Sequence, residues 1–547
     1  MRNKSCSFQL QAVHPDTILK IITSLRNTKS CGVDNIDSSV LKLAKFELTP
    51  AITHIVNLSI STCSFPQQWK VAKVIPLHKK ESEVLPENYR PVALLSVLSK
   101  ILEKAVFQQV SEYLEQNSIL HESHHGFREH HSTCTALLEL YDRWLSALSR
   151  NETVAAIMVD LSAAFDVVDH GLLLEKLSVY GFGSQTINWF QSYLVGRSQV
   201  VLVDGHLSDP LFLEAGVPQG SILGPLLYIL FTNDLPNIFN QELSESKKGS
   251  VVCYADDSTL SLHHEDPLVL KSLVDEKYKE VAEYMAINKL KLNTSKTHLI
   301  ILRTKEAHRR DGSSGVELDT GNEIIKPSEC EKLLGVIVSK DLKWEQHIRL
   351  HKNSAIRVLT QRLNALSRIS KFTSFKTRKM VAEGIFNSSL IYMIQLWGGS
   401  SLNLISCLQV IQNKAARVVT KLGIRTPVKT LMQQTGWLSV RQLVVYHNCL
   451  TVYKIKKFSK PVYFFKKFGM EVDNGNEQPV SSRTRLYSTG GIRIENISMK
   501  SNLDKENFSW TSVSSWNNLP IDIRKSDSLC TFKRSLREWI RGSISVN

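Results

Sequence analysis

The sequence lacks the features of a secreted, disulfide-bonded or membrane-spanning protein. Its nine cysteines are scattered along 547 residues, and no two of them form a Cys-x-x-Cys pair. This spacing argues against a disulfide framework and against a cysteine-rich zinc site. The longest strongly apolar stretch, Ile222 to Phe231, is much shorter than the roughly 18 residues that a membrane span needs. Because the N-terminus also has no apolar signal segment, we expect an intracellular protein of the nucleus and cytoplasm.

Acidic residues are scarce in the C-terminal part of the chain. From Asp341 to Asn547 there are 33 lysines and arginines but only 12 acidic residues, a net charge of +21, whereas residues 1–340 carry a net charge of −6. This asymmetry favours a polyanionic partner, most often a nucleic acid. The alternative is a solvated basic surface that binds no partner.

Two acidic sites follow apolar runs that we predict to be buried strands. Asp160 directly follows the run Val154–Val159, and Asp256 and Asp257 come after Val251–Tyr254. Carboxylates gathered at strand ends repel one another and are costly to keep ionised unless a cation binds them. Mg²⁺ prefers oxygen ligands, and two such ions about 4 Å apart can clamp an in-line phosphoryl displacement. The alternative is that Asp256 and Asp257 only form a hairpin turn, where aspartate is common.

Seven short motifs occur in an order that points to one family. In chain order they are Asn88–Leu95, His125–Arg128, Ala156–His170, Gly216–Pro225, Tyr254–Asp257, Leu290–Thr297 and Leu334–Val336. The Tyr-Ala-Asp-Asp sequence alone is a weak signal, but the ordered set is very specific. The set resembles the reverse transcriptases of LINE-type (non-LTR) retrotransposons, close to the jockey-like elements, over roughly Asp34 to Trp344.

The resemblance implies an α/β (α+β) right-hand polymerase with fingers, an antiparallel-sheet palm and a helical basic thumb. We expect residues 1–64 to form an N-terminal helical extension, residues 65–340 the fingers and palm, and residues 341–547 the basic thumb and C-terminal region. Full elements of this family usually also carry an endonuclease. Because the chain begins shortly before the fingers motifs and contains no Cys-Cys-His-Cys knuckle, we expect it to lack an endonuclease domain.

The resemblance also assigns catalytic roles. Asp160, Asp256 and Asp257 would hold the catalytic metal ions, which would be Mg²⁺, with Mn²⁺ as a substitute. Lys296 would protonate the leaving pyrophosphate. Phe165 would be a steric gate whose ring takes the space of a 2′-hydroxyl, and the alternative is that Phe165 is ordinary core.

The remaining assignments concern nucleotide and nucleic-acid binding. Gln219 and Gly220 would pass under the incoming nucleotide, where glycine allows close approach of the backbone. Arg90 and Arg128 would approach the nucleotide or the template, because the arginine fork pairs well with phosphate. The implied partners are an RNA template, a DNA primer and dNTPs, with no membrane.

Two further groups of residues need an interpretation. The loop from His121 to His131 contains five histidines, but their spacing lacks a clean ligand set for zinc. The resemblance implies that this loop contacts nucleic acid. We expect basic residues of the thumb to grip the phosphates of a template–primer duplex; these are Lys371, Lys376, Arg378, Lys379, Lys414, Arg417, Lys421, Arg425 and Lys429. Segment 305–321 is charged and is predicted to be an exposed loop, and segment 471–491 is polar and is predicted to be mobile.

The predicted function is therefore RNA-directed DNA synthesis by a non-LTR retrotransposon enzyme. The alternative from another class is a catalytically silent, domesticated RNA-binding protein, which the intact aspartates and the Gln219–Gly220 pair argue against. An RNA-dependent RNA polymerase is disfavoured by Phe165, because a ring at that position would exclude ribonucleotides.

Overall fold

The computed structural model describes residues 7–79, 82–239, 248–304, 307, 309, 315–321, 323–470, 494 and 507–544. The loop predicted at 305–321 lies partly outside the described residues, and the loop predicted at 471–491 lies wholly outside them. Across the described ranges, no helix combines the length and the apolar character needed to cross a membrane.

Helices and strands alternate in the first 340 residues, and helices dominate afterwards. The α-helices are α1 (Pro15–Ser24), α2 (Ser38–Leu43), α3 (Lys45–Ser61), α4 (Val97–Gln116), α5 (Thr133–Leu148), α6 (His170–Val179), α7 (Ser184–Leu194), α8 (Gly224–Thr232), α9 (Pro267–Ile287), α10 (Ala355–Ser370), α11 (Phe375–Val381), α12 (Ser388–Leu390), α13 (Ile394–Trp397), α14 (Leu402–Thr420), α15 (Val428–Thr435), α16 (Val440–Phe458), α17 (Val462–Lys467), α18 (Phe508–Asn517), α19 (Ile521–Arg524) and α20 (Leu529–Ser543). The strands are β1 (Val71–His78), β2 (Tyr89–Leu94), β3 (Thr153–Val159), β4 (Arg197–Val203), β5 (His206–Leu207), β6 (Leu211–Leu213), β7 (Lys248–Tyr254), β8 (Asp257–His264), β9 (His298–Leu302), β10 (Leu318–Asp319), β11 (Ile324–Ile325), β12 (Cys330–Leu333) and β13 (Val336–Ser339).

The central sheet is antiparallel and has the strand order β7-β8-β3-β9. Every residue of β3 is buried. Because successive side chains of a strand point to opposite faces, Val154, Ala156 and Met158 enter one hydrophobic core, whereas Ala155 and Val159 enter another. A strand covered on both faces needs no polar alternation, which explains why its sequence is continuously apolar.

The two cores divide the helices between the two faces of this sheet. One core contains the N-terminal helices with α4, α6, α7, α8 and α9. The other joins α5, the β12–β13 hairpin and the helices from α10 to α20. The second core is therefore continuous across residue 340, where the sequence predicted a domain boundary.

A second sheet has the order β2-β1-β4-β5, with β6 also paired to β4. The β1–β4 pair is parallel and the others are antiparallel. Asp204 and Gly205 connect β4 to β5 with φ angles of +49° and +83°, as in the two-residue turn that an Asp-Gly pair favours. Helices around an antiparallel central sheet confirm the predicted α/β (α+β) fold class.

Candidate active site

The three predicted catalytic aspartates lie at one edge of the central sheet. Asp160 follows β3 directly, and Ala255 and Asp256 form the two-residue turn between β7 and β8. The antiparallel register pairs Val159 of β3 with Ser258 of β8. The next position along this pair sets Asp160 beside Asp257, so three carboxylates share one end of the sheet.

A loop from the His-Gly-Phe-Arg motif supports the turn between β7 and β8. The backbone N–H of His125 donates to Cys253 O at 2.8 Å, and Cys253 N–H donates to Ser123 O at 2.9 Å. Ala255 has a φ of +56°, a left-handed conformation that is uncommon outside glycine. A Cβ on Gly126 would lie 2.3 Å from the backbone nitrogen of Ala255. Only glycine at position 126 therefore lets the loop pack against this turn.

The histidines of this loop have partners within the protein. The buried ring of His125 contacts Thr135 Oγ1 at 3.0 Å through Nδ1 and Glu139 Oε2 at 3.1 Å through Nε2. His124 Nε2 lies 3.2 Å from Thr232 O, and burial, reinforced by the nearby charge of Arg128, lowers the pKa of His124 to about 3. These contacts favour a structural role for the histidines.

Arg128, predicted to approach nucleotide or template, points into the same loop. Its side chain is only 7% exposed, and Nη1 donates to His121 O at 2.7 Å and to His124 O at 3.2 Å. Glu115 lies 3.8 Å from its Nη2. The placement favours a supporting role for Arg128, because a guanidinium held by backbone carbonyls has few donors left for phosphate.

Lys296 is brought to the aspartates by the motif that contains it. Asn293 N–H donates to Asp160 O at 2.9 Å, and Leu292 pairs with Leu161 in an antiparallel bridge. The turn at Thr294–Lys296 then places Lys296 Nζ 3.1 Å from Asp160 Oδ2. The predicted proton donor and the first predicted metal ligand therefore form an ion pair.

The electrostatics of this edge suit a bound cation. Burial, together with the negative charges of Asp256 and Asp160, raises the pKa of Asp257 to about 6. Asp257 is nevertheless exposed as a residue, so solvent and a cation can reach it. In the described part of the chain, no three His, Cys, Asp or Glu side chains converge as a ready-made ligand set. The carboxylates are still the hard oxygen donors that Mg²⁺ prefers, and their mutual repulsion is what a cation relieves.

Phe165 lies beside this edge and is half-buried. Its ring centroid is 4.5 Å from that of Tyr228 on α8 and 6.2 Å from that of Phe127, which meets it edge-on. The ring is thus fixed by aromatic neighbours on two sides and still reaches solvent. Both roles weighed for Phe165, a steric gate and partial core packing, are compatible with this position.

The loop before α8 packs against the segment that contains Phe165. Val217 N–H donates to Phe165 O and Gly216 N–H donates to Val168 O, both at 2.8 Å. Gln219 Nε2 donates to Asp166 Oδ1 at 2.7 Å. Gly220 has a φ of +78°, and a Cβ there would lie 2.6 Å from the carbonyl oxygen of Ala93 on β2.

The second sheet therefore contacts this loop through β2. Arg90 lies on the same strand, opposite Leu77 of β1, and is exposed. Of the two arginines that the sequence singled out, Arg90 is the one that remains accessible to a nucleotide or template.

Sequence reasoning missed Glu103, a completely buried glutamate on α4. It accepts hydrogen bonds from the backbone N–H groups of Ile222 and Leu223, at the start of α8. The available signal was weak: an acidic residue one position after the apolar pair Ile101–Leu102, within a helix whose other buried residues are mostly apolar.

The predicted thumb residues fall into two groups. Seven of them are exposed or nearly so, namely Lys371, Lys376, Lys379, Lys414, Lys421, Arg425 and Lys429. Arg378 is buried and donates to Val419 O at 2.9 Å, and Arg417 donates to Ile424 O at 3.1 Å. These two arginines support the helical fold.

Residues 346–382 contain nine lysines and arginines and no acidic residue.

Comparisons with known proteins give the following matches. A family model described as "Reverse transcriptase (RNA-dependent DNA polymerase)" matches residues 77–338. The probable RNA-directed DNA polymerase from transposon BS of Drosophila melanogaster is 30% identical over 452 residues, covering 81% of this chain and 48% of that protein. The RNA-directed DNA polymerase from mobile element jockey of the same species is 26% identical, covering 76% of this chain and 44% of that protein. The chain thus spans about half the length of these relatives.

Among solved structures, apo telomerase from Candida tropicalis is matched with a TM-score of 0.37 and 12% identity, over 72% of this chain and 69% of that chain. A form of the same telomerase truncated from its C-terminal domain is matched with a TM-score of 0.35 and 14% identity, over 50% of this chain and 54% of that chain.

Proposed function

We propose that this chain is an RNA-directed DNA polymerase, because its ordered motifs and its matches to reverse transcriptases of non-LTR elements point to a domain of that type. It would extend the 3′-hydroxyl of a DNA primer with dNTPs along an RNA template. The observation that carries this proposal is the edge of the central sheet where Asp160 lies beside Asp257, with Asp256 in the adjoining turn. The raised pKa of Asp257 supports it, since the carboxylates there repel one another.

Asp160, Asp256 and Asp257 are the residues that would hold divalent cations, with Mg²⁺ preferred and Mn²⁺ as a substitute. When bound, these ions would supply Lewis-acid stabilisation of the attacking and leaving oxygens in the in-line displacement. Lys296, with its ammonium already 3.1 Å from Asp160, would lie within reach of the triphosphate and would donate a proton to the leaving pyrophosphate.

The remaining residues of the site would orient the nucleotide and select its sugar. The ring of Phe165 would fill the volume next to C2′ and exclude a 2′-hydroxyl. Gln219 and Gly220 would lie under the nucleotide, and Arg90 would reach its phosphates or the template from β2.

We further propose that the exposed cations of segment 346–382 hold the template–primer duplex through its phosphates.

We also retain the predicted division into an N-terminal extension (1–64), fingers and palm (65–340) and thumb with C-terminal region (341–547) as a proposal about function. The palm and the C-terminal helices share a core, so these divisions describe roles along the chain and not separately folded units.

A primer-extension assay tests the function directly. The wild-type chain should extend a DNA primer on an RNA template with dNTPs and Mg²⁺. Asp160→Asn and Asp256→Asn should each lower the rate by about a thousandfold or more, equivalent to about 4 kcal/mol in the barrier. Asp169→Asn is the matched control, because Asp169 caps α6 and pairs with Lys289 at 2.6 Å. Wild-type rates for Asp256→Asn would refute the assignment of the site.

The same assay separates the polymerase from a silent RNA-binding protein. If the chain is a silent protein, it will bind RNA but extend no primer with either Mg²⁺ or Mn²⁺.

A further inference from the structure

Glu103 carries a carboxylate in a place where proteins rarely keep one, because its side chain is completely shielded from solvent. Its Oε1 accepts a hydrogen bond from Ser99 Oγ at 2.8 Å. Its Oε2 accepts from Tyr193 Oη at 3.3 Å and from the backbone N–H groups of Ile222 at 2.7 Å and Leu223 at 3.2 Å. All four donors are neutral groups, so these bonds stabilise the charge through oriented dipoles.

The two backbone donors identify what Glu103 anchors. Ile222 and Leu223 immediately precede α8, and N–H groups at the start of a helix have no partner within the helix. They also lie at the positive end of the helix dipole, which favours a carboxylate. Glu103 therefore ties the beginning of α8 to α4, two residues beyond Gly220.

The other end of the loop is tied to a different part of the site. Gly216 and Val217 donate backbone hydrogen bonds to the segment that contains Phe165. Within the loop, Ser221 Oγ donates to Pro218 O at 2.6 Å and accepts from Gly224 N–H at 2.8 Å. The loop is thus fixed at both ends, and Gln219 and Gly220 occupy the span between the two anchors.

We propose that Glu103 is a positioning residue that sets where Gln219 and Gly220 lie relative to Phe165, and so controls nucleotide affinity and sugar selection. The inference rests on the proposed polymerase function. Glu103 contacts neither the aspartates nor any reacting atom, so it would act only through the loop. Losing the anchor should weaken nucleotide binding and loosen the pocket next to Phe165, while the catalytic aspartates stay in place.

Four variants of the full chain test the proposal. Glu103→Ala removes the acceptor and leaves two buried N–H groups unpaired, and should raise the KM for dNTP by about tenfold or more. Glu103→Asp keeps the charge but retracts it by one methylene, and should shift KM in the same direction. Glu103→Gln still accepts from both N–H groups and from the Tyr193 hydroxyl through one oxygen, while the Ser99 hydroxyl rotates to accept from its amide NH2, and should stay near wild type. Val106→Ala, equally buried one turn along α4, is the control for general destabilisation.

Three measurements are made on each variant: KM and kcat for dNTP, the ratio of kcat/KM between dNTP and rNTP, and amide hydrogen exchange of peptide 216–224. We expect Glu103→Ala and Glu103→Asp to raise KM more than they lower kcat, to reduce the sugar ratio and to speed exchange in this peptide. Glu103→Gln should restore all three values, and Val106→Ala should leave them unchanged.

The proposal is overturned if Glu103→Ala keeps the wild-type KM, sugar ratio and exchange rate, or if Val106→Ala changes them equally. If Glu103→Ala does not fold, Glu103→Asp decides the question, since wild-type behaviour of that variant would show that the anchor is unimportant. Failure of the wild type to extend any primer would refute the proposed function instead. In that case the exchange rates of the variants would still report whether Glu103 anchors the loop.

Discussion

Asp257 carries a negative charge that its surroundings disfavour. Its pKa in the folded chain is raised to about 6 by burial and by the charges of Asp256 and Asp160, against an ordinary value of 3.8. Between these two values the folded state binds more protons than the unfolded state, so the contribution of Asp257 to stability falls as pH rises from about 4 to about 6. Above pH 6 this penalty no longer changes with pH. Solvent screening reduces its size, because the residue is exposed.

We therefore expect Asp257→Asn to raise the melting temperature at pH 7.5, with an advantage that shrinks towards pH 4. Adding Mg²⁺ should stabilise the wild type more than the variant, because the cation relieves the same repulsion. Thermal melts at both pH values, with and without Mg²⁺, measure this. Asp209→Asn, at an exposed loop position, should show no such dependence, and an equal gain for Asp257→Asn at pH 4 and 7.5 would exclude the repulsion as its cause.

The position of the Phe165 ring leads to a separate prediction about sugar selection. Phe165→Ala removes the wall next to C2′ and should lower the ratio of kcat/KM for dNTP over rNTP by at least about tenfold, since that ratio measures discrimination. Phe165→Tyr keeps the ring and should keep the ratio. An unchanged ratio in Phe165→Ala would mean that the ring only packs against Tyr228.

The loop His125–Arg128 acts as a unit with the turn at Ala255, and this gives a prediction about the two elements together. In Gly126→Ala the new Cβ would meet the backbone of Ala255 at 2.3 Å, and backbone on both sides leaves little room for adjustment. A displacement of the aspartates by about 1 Å should lower the polymerase rate by about a hundredfold.

The control for this substitution is Gly423→Ala, because a Cβ at Gly423 meets no atom within 4 Å. It adds the same methyl group and should leave the rate unchanged. Primer extension and thermal melting are measured for both variants. Wild-type kinetics in Gly126→Ala would show that the loop and the turn move independently.

The elements around this site were predictable to different degrees. The apolar run before Asp160 and the Tyr-Ala-Asp-Asp turn predicted two strands and the carboxylates at their ends, because strand burial is a local property of sequence. The position of the Arg128 side chain was not predictable, since it depends on carbonyls that the folded loop turns inward. Glu103 was missed for a similar reason: its partners are about 120 residues away in sequence.

The predicted division of the chain at residue 340 shows, for the molecule as a whole, that contacts between distant segments cannot be predicted from the sequence. The charge change after Lys340 predicted a basic region over residues 341–547. Charge patterning describes the surface, however, and does not report which helices pack together in the core. In the structure, Asp142 of α5 accepts hydrogen bonds from Tyr463 at 2.5 Å and Ser509 at 2.6 Å, and also pairs with Lys467. Removing the C-terminal region would expose the apolar face of α5, so truncation is a poor test of how the chain binds nucleic acid.

Charge substitution within the intact chain is a better test of whether the cations of segment 346–382 bind the duplex. Arg357, Arg368 and Lys371 are exposed within the acid-free segment 346–382. If they bind phosphates, replacing all three with glutamine should make log affinity for an RNA–DNA heteroduplex less steep against log salt, by about 0.9 for each phosphate that is no longer neutralised. Sequence preference should not change, because binding to phosphates carries no base information.

The matched control replaces Lys20, Lys29 and Lys279, which are equally exposed but lie outside this segment. Both triple variants lose the same net charge, so general attraction to a polyanion falls equally in the two. Only the variant in segment 346–382 should bind fewer phosphates directly, which would reduce both the steepness of the salt dependence and the length of product made per binding event. Equal salt slopes for the two variants would mean that the duplex is held by the fingers and palm, and that the C-terminal charge is a solvated surface.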